Sequence, residues 1–198
     1  GNTIKKYEVA AGIKEIGVIF FEINPLPAAE IAKLNYRNMN RYLHPLVAEW
    51  CRREGLPMLD LGGAHNSPPG YIPVDVSFPP TDPVFYCHTM LIGAKQWPKQ
   101  IGGDVLDVLQ ALPPSAVGCV RAFDFIEHLP RDRMVPFMNE VYRVLAPGGF
   151  LLSGTPSSDG RGAFQDPTHT NFVNQNSFWY YTDRNYAKYL NGAVDCRF

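Results

Sequence analysis

Short apolar runs separated by turn residues dominate the chain beyond residue 56. Met58, Leu59 and Leu61 form the first run, ended by Gly62 and Gly63; Tyr71, Ile72, Val74 and Val76 form the second, with Asp75 near its end. Runs of this length bounded by glycine or proline read as buried strands. Asp104 and Val105 end a short third strand, VGCVRAFD (Val117 to Asp124) is a fourth, and FLLSGTP after Gly149 is a fifth. Between the last two, Phe137, Met138, Val141, Val144 and Leu145 recur at helical spacing. That stripe predicts a helix from about Asp132, with Pro136 tolerated in its first turn and a stop at Ala146-Pro147-Gly148-Gly149. Strands alternating with helices predict an α/β fold, a doubly wound and mostly parallel sheet with helices on both faces.

The segment before residue 57 reads differently. Residues 3–23 carry two strand-like runs around Ala10-Ala11-Gly12, a hairpin by pattern. From Ala28 to Arg53, Ile31, Leu34, Leu43, Leu46, Val47 and Trp50 follow roughly helical spacing, interrupted at Pro45. The expected organisation is therefore an N-terminal hairpin and helical extension over 1–56 and one compact domain over 57–198. Six prolines between Pro68 and Pro83 forbid a helix there. A parallel crossover usually takes a dozen or more residues and a helix, so the first two core strands must be joined by an extended crossover. Residues 78–100 read as an irregular excursion anchored by Phe85, Tyr86 and Trp97.

Composition narrows the function. Eighteen basic and 19 acidic residues give a net charge of −1, without the basic face of a dedicated duplex nucleic-acid binder. Cys51, Cys87, Cys119 and Cys196 are scattered, so neither a disulfide framework nor a zinc ribbon is indicated, and no metal ion is expected. No leader-like segment opens the chain and no apolar run approaches the ~18 residues of a membrane span. A cytoplasmic protein without membrane contact is the expectation. A second copy of the chain, docking through the N-terminal extension or residues 78–100, is the candidate macromolecular partner.

A strand, a glycine turn and a second strand ending in an acid is the arrangement that binds nucleotides in doubly wound sheets, the acid taking ribose hydroxyls. Four segments sharpen that reading. NEVYRVLAPGGFLLSGTP resembles the segment closing the cofactor domain of class I S-adenosylmethionine-dependent methyltransferases, and FDFIEHLP resembles that family's strand-four signature. GDVLDVL is similar to its acidic loop beside the adenine, and LDLGG followed by GYIPVDVS is similar to its first two motifs. A type 11-like subset with a proline-bearing crossover fits best. The resemblance covers about residues 57–156 and partly 157–183, and implies a Rossmann-like fold and S-adenosyl-L-methionine as cofactor, with S-adenosyl-L-homocysteine as product. By the same resemblance, Asp60, Gly62, Gly63 and Ala64 would floor the methionine portion. Asp75 and Val76 would hold the ribose, Asp104 and Val105 the adenine; Asp124 and Phe125 would lie along the cofactor and His128 at the active-site rim. Two features depart from the family. At the glycine-pattern positions Gly62, Ala64 and Asn66 only the first is glycine, and the usual last two antiparallel strands are not evident before AVDCRF.

Residues 160–183 follow the fifth strand, where this family places substrate-recognition segments. Asp166 and His169 offer an acid and a base close in sequence, and a histidine can accept a proton near neutral pH. His169 is the expected proton acceptor for a small-molecule substrate, with Asp166 orienting it. The same residues would serve as loop caps, with Phe172, Phe178, Trp179 and Tyr180 as core. Turn caps at Asp60 and Asp124, and a helix-capping role for Glu127 with His128, are the corresponding plain readings. The enzyme reading is methyl transfer to an oxygen or nitrogen of a small acceptor, a sugar or a metabolite. The alternatives are a catalytically weak cofactor-sensing or scaffolding subunit, favoured by the departures, and a nicotinamide-dependent oxidoreductase, disfavoured because GGAHN does not make GxGxxG.

Overall fold

The computed structural model describes residues 44–81 and 97–198, and the backbone of 17–19. Its centre is a sheet of six parallel strands: β1 (Gly17–Ile19), β2 (Met58–Leu61), β3 (Ile72–Asp75), β4 (Ile101–Gly102), β5 (Val117–Phe123) and β6 (Leu145–Gly154). The spatial order is β1-β6-β5-β2-β3-β4. From the central β2 the chain steps outward to β3 and β4, then crosses back to β5 and β6 on the other side. The direction of winding therefore reverses between β2 and β5, and a crevice opens there beyond the strands' carboxyl ends.

The strands are continuous apolar runs because both faces are covered. Helices α2 (Val105–Ala111) and α3 (Met134–Val144) cover one face, burying Val105, Val108, Leu109, Phe137, Met138, Val141 and Val144 against Leu59, Leu61, Val74 and Val120. Helix α1 (His44–Glu54) covers the other, where Val47 and Cys51 meet Met58, Tyr71, Cys119 and Leu152. Pro45 sits in the first turn of α1, where its missing N–H costs nothing. Leu46, placed on the apolar stripe by its spacing, is instead 70% exposed.

Several boundaries differ from the sequence reading. The third strand ends at Gly102, and Asp104 is the N-cap of α2, its side chain accepting from the N–H groups of Leu106 and Asp107. An aspartate before an apolar helical run is a strong cap, and that local bond outweighs strand extension at Asp104 and Val105. Strand β3 stops at Asp75, leaving Val76 exposed. Helix α3 runs directly into β6 at Leu145, with an irregular register against β5 between Val117 and Cys119. The proline-rich crossover from β2 to β3 holds only a 3-10 turn, Ala64–Asn66, as expected.

Of the predicted N-terminal hairpin, Gly17–Ile19 pairs parallel with β6 and extends the main sheet; the rest of 1–43 lies outside the described residues. So does most of the 78–100 excursion. The C-terminal segment docks on α3: the Asn139 amide donates to Ala193 O and accepts from the N–H groups of Asp195 and Cys196, and Phe198 meets Tyr142 edge-on at 5.4 Å. No helix among the described residues is long and apolar enough to cross a membrane.

One buried ion pair crosses the sheet. Asp60 on β2 and Arg121 on β5 are partners in register, and Arg121 Nη1 donates to Asp60 Oδ1 at 2.5 Å, with the aspartate fully buried. Ser67 Oγ donates to the other oxygen, and the guanidinium lies 4.2 Å above the Phe123 ring. Removing one member of such a pair leaves a buried charge alone. Arg121→Ala is therefore expected to cost about 3–5 kcal/mol of stability in urea denaturation, and the double change Asp60→Leu/Arg121→Met to recover most of it. A loss no greater than for a surface arginine would refute that role.

Candidate functional site

The crevice at the winding reversal is a cleft whose polar wall is Asp75, Asp104, His128 and Arg133. Its apolar wall is Val76, Val105, Leu106, Phe125, Leu129 and Pro130, with Gly62 at its base. Seven residues proposed from sequence thus share one cleft: Gly62, Asp75, Val76, Asp104, Val105, Phe125 and His128. Asp60, Gly63, Ala64 and Asp124 do not line it, and the first three build what lies beneath.

The glycine turn is dictated by close approach. Gly62 has φ +72°, and a Cβ there would lie 2.4 Å from the Phe125 ring. A Cβ on Gly63 would fall within 1.9 Å of Asp60 Oδ2, because the aspartate folds back under the turn. Asp60 therefore supports the loop from inside the protein, bound to Arg121 and Ser67, and is not open to a ligand. Ala64 adopts φ +43°, the left-handed angle that a glycine would take without strain. Asp124 does the same at φ +46°, turning the chain sharply from β5 so that Phe125 reaches the cleft.

Asp75 caps its own turn through one oxygen, Oδ1 accepting from Ser77 N–H at 2.8 Å. Asp104 is more committed. Arg133 Nη1 and Nη2 grip its two oxygens, and Leu106 N–H donates to Oδ1 at 2.9 Å. A carboxylate accepts at about four positions, so Oδ2, which takes only the Arg133 bond, keeps one acceptor position. The hydrogen bond from Arg133 holds the Asp104 carboxyl below the usual aspartate range.

Beside His128 the 126–131 and 168–171 segments are stitched together. Thr170 N–H and Asn171 N–H both donate to Glu127 O, the Asn171 amide donates to Ile126 O, and Arg131 Nε donates to Thr170 O. This clamp sets the rings of His128 and His169 edge to face, 4.8 Å between centroids. Asp166 does not touch the His169 ring; its carboxylate accepts from the N–H and the hydroxyl of Thr168, which lowers its pKa. The Thr168 oxygen also lies 3.1 Å from His128 Nδ1, and His169 Nδ1 lies 2.8 Å from Ala163 O. Glu127, behind His128, is 1% exposed, and burial pushes its carboxyl up. The aromatic residues after β6 divide: Phe178 and Tyr181 are core, while Phe164 stacks on Phe172 at 4.9 Å with both rings open to solvent.

Sequence reasoning missed Arg121, Arg133 and Thr168 as members of this region, and weighed Glu127 only as a capping partner of His128. For Arg121 a signal was available: a cation in the middle of an apolar strand demands a buried anion, and Asp60 lies in the strand beside it. Nothing local marks Arg133, whose partner Asp104 is remote in sequence, or the link from Thr168 to His128, 40 residues away.

No family model matches the chain, and no curated protein does. Among the solved structures similar to it are two methyltransferases. One is a SAM-dependent methyltransferase from Archaeoglobus fulgidus, 19% identical with a TM-score of 0.46, the match covering 80% of this chain and 73% of that one. The other is the 1,6-didemethyltoxoflavin-N1-methyltransferase of Burkholderia thailandensis with bound 1,6-didemethyltoxoflavin and S-adenosylhomocysteine. It is 16% identical with a TM-score of 0.33, covering 66% of each chain.

Two measurements follow from this geometry. Left-handed backbone costs a side-chain-bearing residue about 1–2 kcal/mol, part of which glycine gives back through its freer unfolded chain. Ala64→Gly should therefore raise stability by about 0.5–1 kcal/mol in a thermal melt; a lower melting temperature would show the strain absent. The second concerns pH. Because Asp104 has a folded pKa below its unfolded value, the pair with Arg133 stabilises above the ordinary aspartate value of about 3.9 and loses that contribution as pH falls through the folded value. The melting-temperature gap between wild type and Arg133→Gln should thus be constant near neutrality and close below about pH 4. A gap independent of acid would refute the pairing.

Proposed function

We propose that the chain transfers a methyl group from S-adenosyl-L-methionine to an oxygen or nitrogen of a small acceptor. The observation that carries this reading is the cleft itself: an acid at the end of β3, an apolar slot and a glycine turn, gathered at the winding reversal of a parallel sheet. The residues fit the cofactor. Asp75 spends one oxygen on Ser77 among the described residues, leaving the other for ribose hydroxyls. Val76, Val105, Leu106 and Leu129 make the slot for a flat base, and the open position on Asp104 suits its amino group. Gly62 gives the Phe125 ring room to pack on the turn and line the cleft, where any side chain would collide with it.

When bound, the cofactor supplies an activated methyl group whose departure leaves a neutral thioether. The protein's task is then to align the acceptor in line and take up its proton. His128 at the cleft edge and His169 against it are the groups for the acceptor side, held by Asp166 through Thr168 and by the Ala163 carbonyl. The exposed Phe164–Phe172 stack belongs to the same segment and offers a flat surface to an aromatic or sugar-like acceptor.

S-adenosylhomocysteine tests the reading without a known acceptor. A ligand that binds only the folded state at a hundredfold excess over Kd adds roughly 2.7 kcal/mol, which for a chain of this size is about 5–10 °C in Tm. Asp75→Ala removes hydrogen bonds to a charged group, about 1.5–3 kcal/mol, and should abolish most of the shift. Absence of any shift at millimolar ligand would sink the cofactor assignment and favour a scaffolding role.

A further inference from the structure

We propose that Glu127, His128 and His169 bind a divalent first-row transition-metal ion at the edge of the cleft. One donor atom of each residue lies within 4.8 Å of the other two, slightly more than the roughly 4.4 Å that two opposed bonds of about 2.2 Å span, so small side-chain rotations bring the set onto a single ion. Nothing in the sequence spacing announces the set. The pair Glu127-His128 leaves β5, and His169 arrives from beyond β6 on the segment clamped against it.

The hydrogen bonds around the two rings fix which nitrogen is free. Thr168 has one hydroxyl proton, and it goes to the Asp166 carboxylate at 2.7 Å. The Thr168 oxygen is then an acceptor toward His128, so Nδ1 of His128 carries the hydrogen. At His169 the partner of Nδ1 is a carbonyl, Ala163 O, which can only accept. Both imidazoles are thereby held with Nε2 as a bare lone pair. A ring N–H donated to a carboxylate relay or a backbone carbonyl is the outer-shell arrangement that orients metal-ligating histidines.

Glu127 supplies the second, independent observation. Its side chain is 1% exposed, yet among the described residues neither carboxylate oxygen makes a well-formed hydrogen bond, the buried Thr155 hydroxyl being a neighbour that interacts with the carboxylate without completing one. Buried polar atoms are rarely left so, because an unmatched carboxyl costs free energy that a hydrogen bond or an ion would offset. One of these oxygens lies within 4.8 Å of a ring nitrogen of each histidine, and the three donors together form a site for a cation. Two imidazoles with one carboxylate favour zinc, iron, cobalt or manganese over magnesium or calcium, which prefer all-oxygen shells. Three protein donors leave positions open for an oxygen of the acceptor, and His128 places them beside the cleft. This last point rests on the methyl-transfer reading; metal binding itself does not.

The test uses the full chain, untagged and stripped with a chelator, titrated with Co2+ and followed by its visible absorption. The expected result is one equivalent of Co2+ with ligand-field bands, displaced by Zn2+ and indifferent to excess Mg2+. His169→Ala and Glu127→Gln should each weaken binding by at least the roughly 10–100-fold that loss of an outer-shell partner costs. No bound Co2+ in the wild type, or binding unchanged in both His128→Ala and His169→Ala, would overturn the site. If Glu127→Gln fails to fold, the wild-type titration and the two histidine variants still decide. The S-adenosylhomocysteine melt is run on the same stripped protein. Cobalt binding without a cofactor shift refutes methyl transfer and leaves the metal site standing; a shift without cobalt binding does the reverse.

Discussion

The buried pair of Asp60 and Arg121 is the constraint on which the cleft depends. Two opposite charges in neighbouring strands, both removed from water, are tolerable only if they face each other and their remaining valences are filled. That requirement sets Asp60 beside Arg121 in the register of β2 and β5. It also directs the second aspartate oxygen toward Ser67 and under Gly63. The turn between β2 and β3 has no helix to stiffen it, so its shape is held from below by this carboxylate instead. Gly62 then lies where Phe125 can press on it, and the base of the cleft follows.

A second constraint acts at the other end of the cleft. The segment after β5 and the segment after β6 have no strand or long helix in common, yet side-chain amides, hydroxyls and backbone groups lock them together around Glu127, Leu129 and Thr170. The lock brings His169 to His128 and leaves the buried Glu127 carboxyl beside them. An exposed loop held by its own hydrogen bonds can present catalytic or ligand groups with the precision of a regular element, because the entropy of ordering it has already been spent in folding. The wall made by Asp104 and Arg133 works similarly: a helix cap and an ion pair share one carboxylate, which fixes both its position and the acceptor capacity it has left.

Much of the fold was legible in the amino-acid sequence because burial on both faces of a parallel sheet writes itself as continuous apolar runs. β2, β5 and the apolar stripe of α3 stood out for that reason, and the six prolines told correctly that no helix joins β2 to β3. Gly62 and Asp75 were legible as cleft residues because a strand end is where a parallel sheet offers backbone and side chains to a ligand, and Phe125 only through the resemblance of FDFIEHLP to a family motif. What only the tertiary structure decided concerns partners distant along the chain. Asp60 and Asp104 carry the residue type expected of ligand contacts, but one is consumed by Arg121 and the other shared with Arg133, and no local pattern specifies which. The Asp166 carboxylate bonds Thr168 and not the His169 ring, since a short side chain reaches the nearest turn before the next ring. Glu127, buried without a well-formed side-chain hydrogen bond next to two histidines, is ordinary in sequence and becomes chemically pointed only when the segments after β5 and β6 are packed together. Local periodicity encodes burial; the pairing of charges and lone pairs is set by long-range packing.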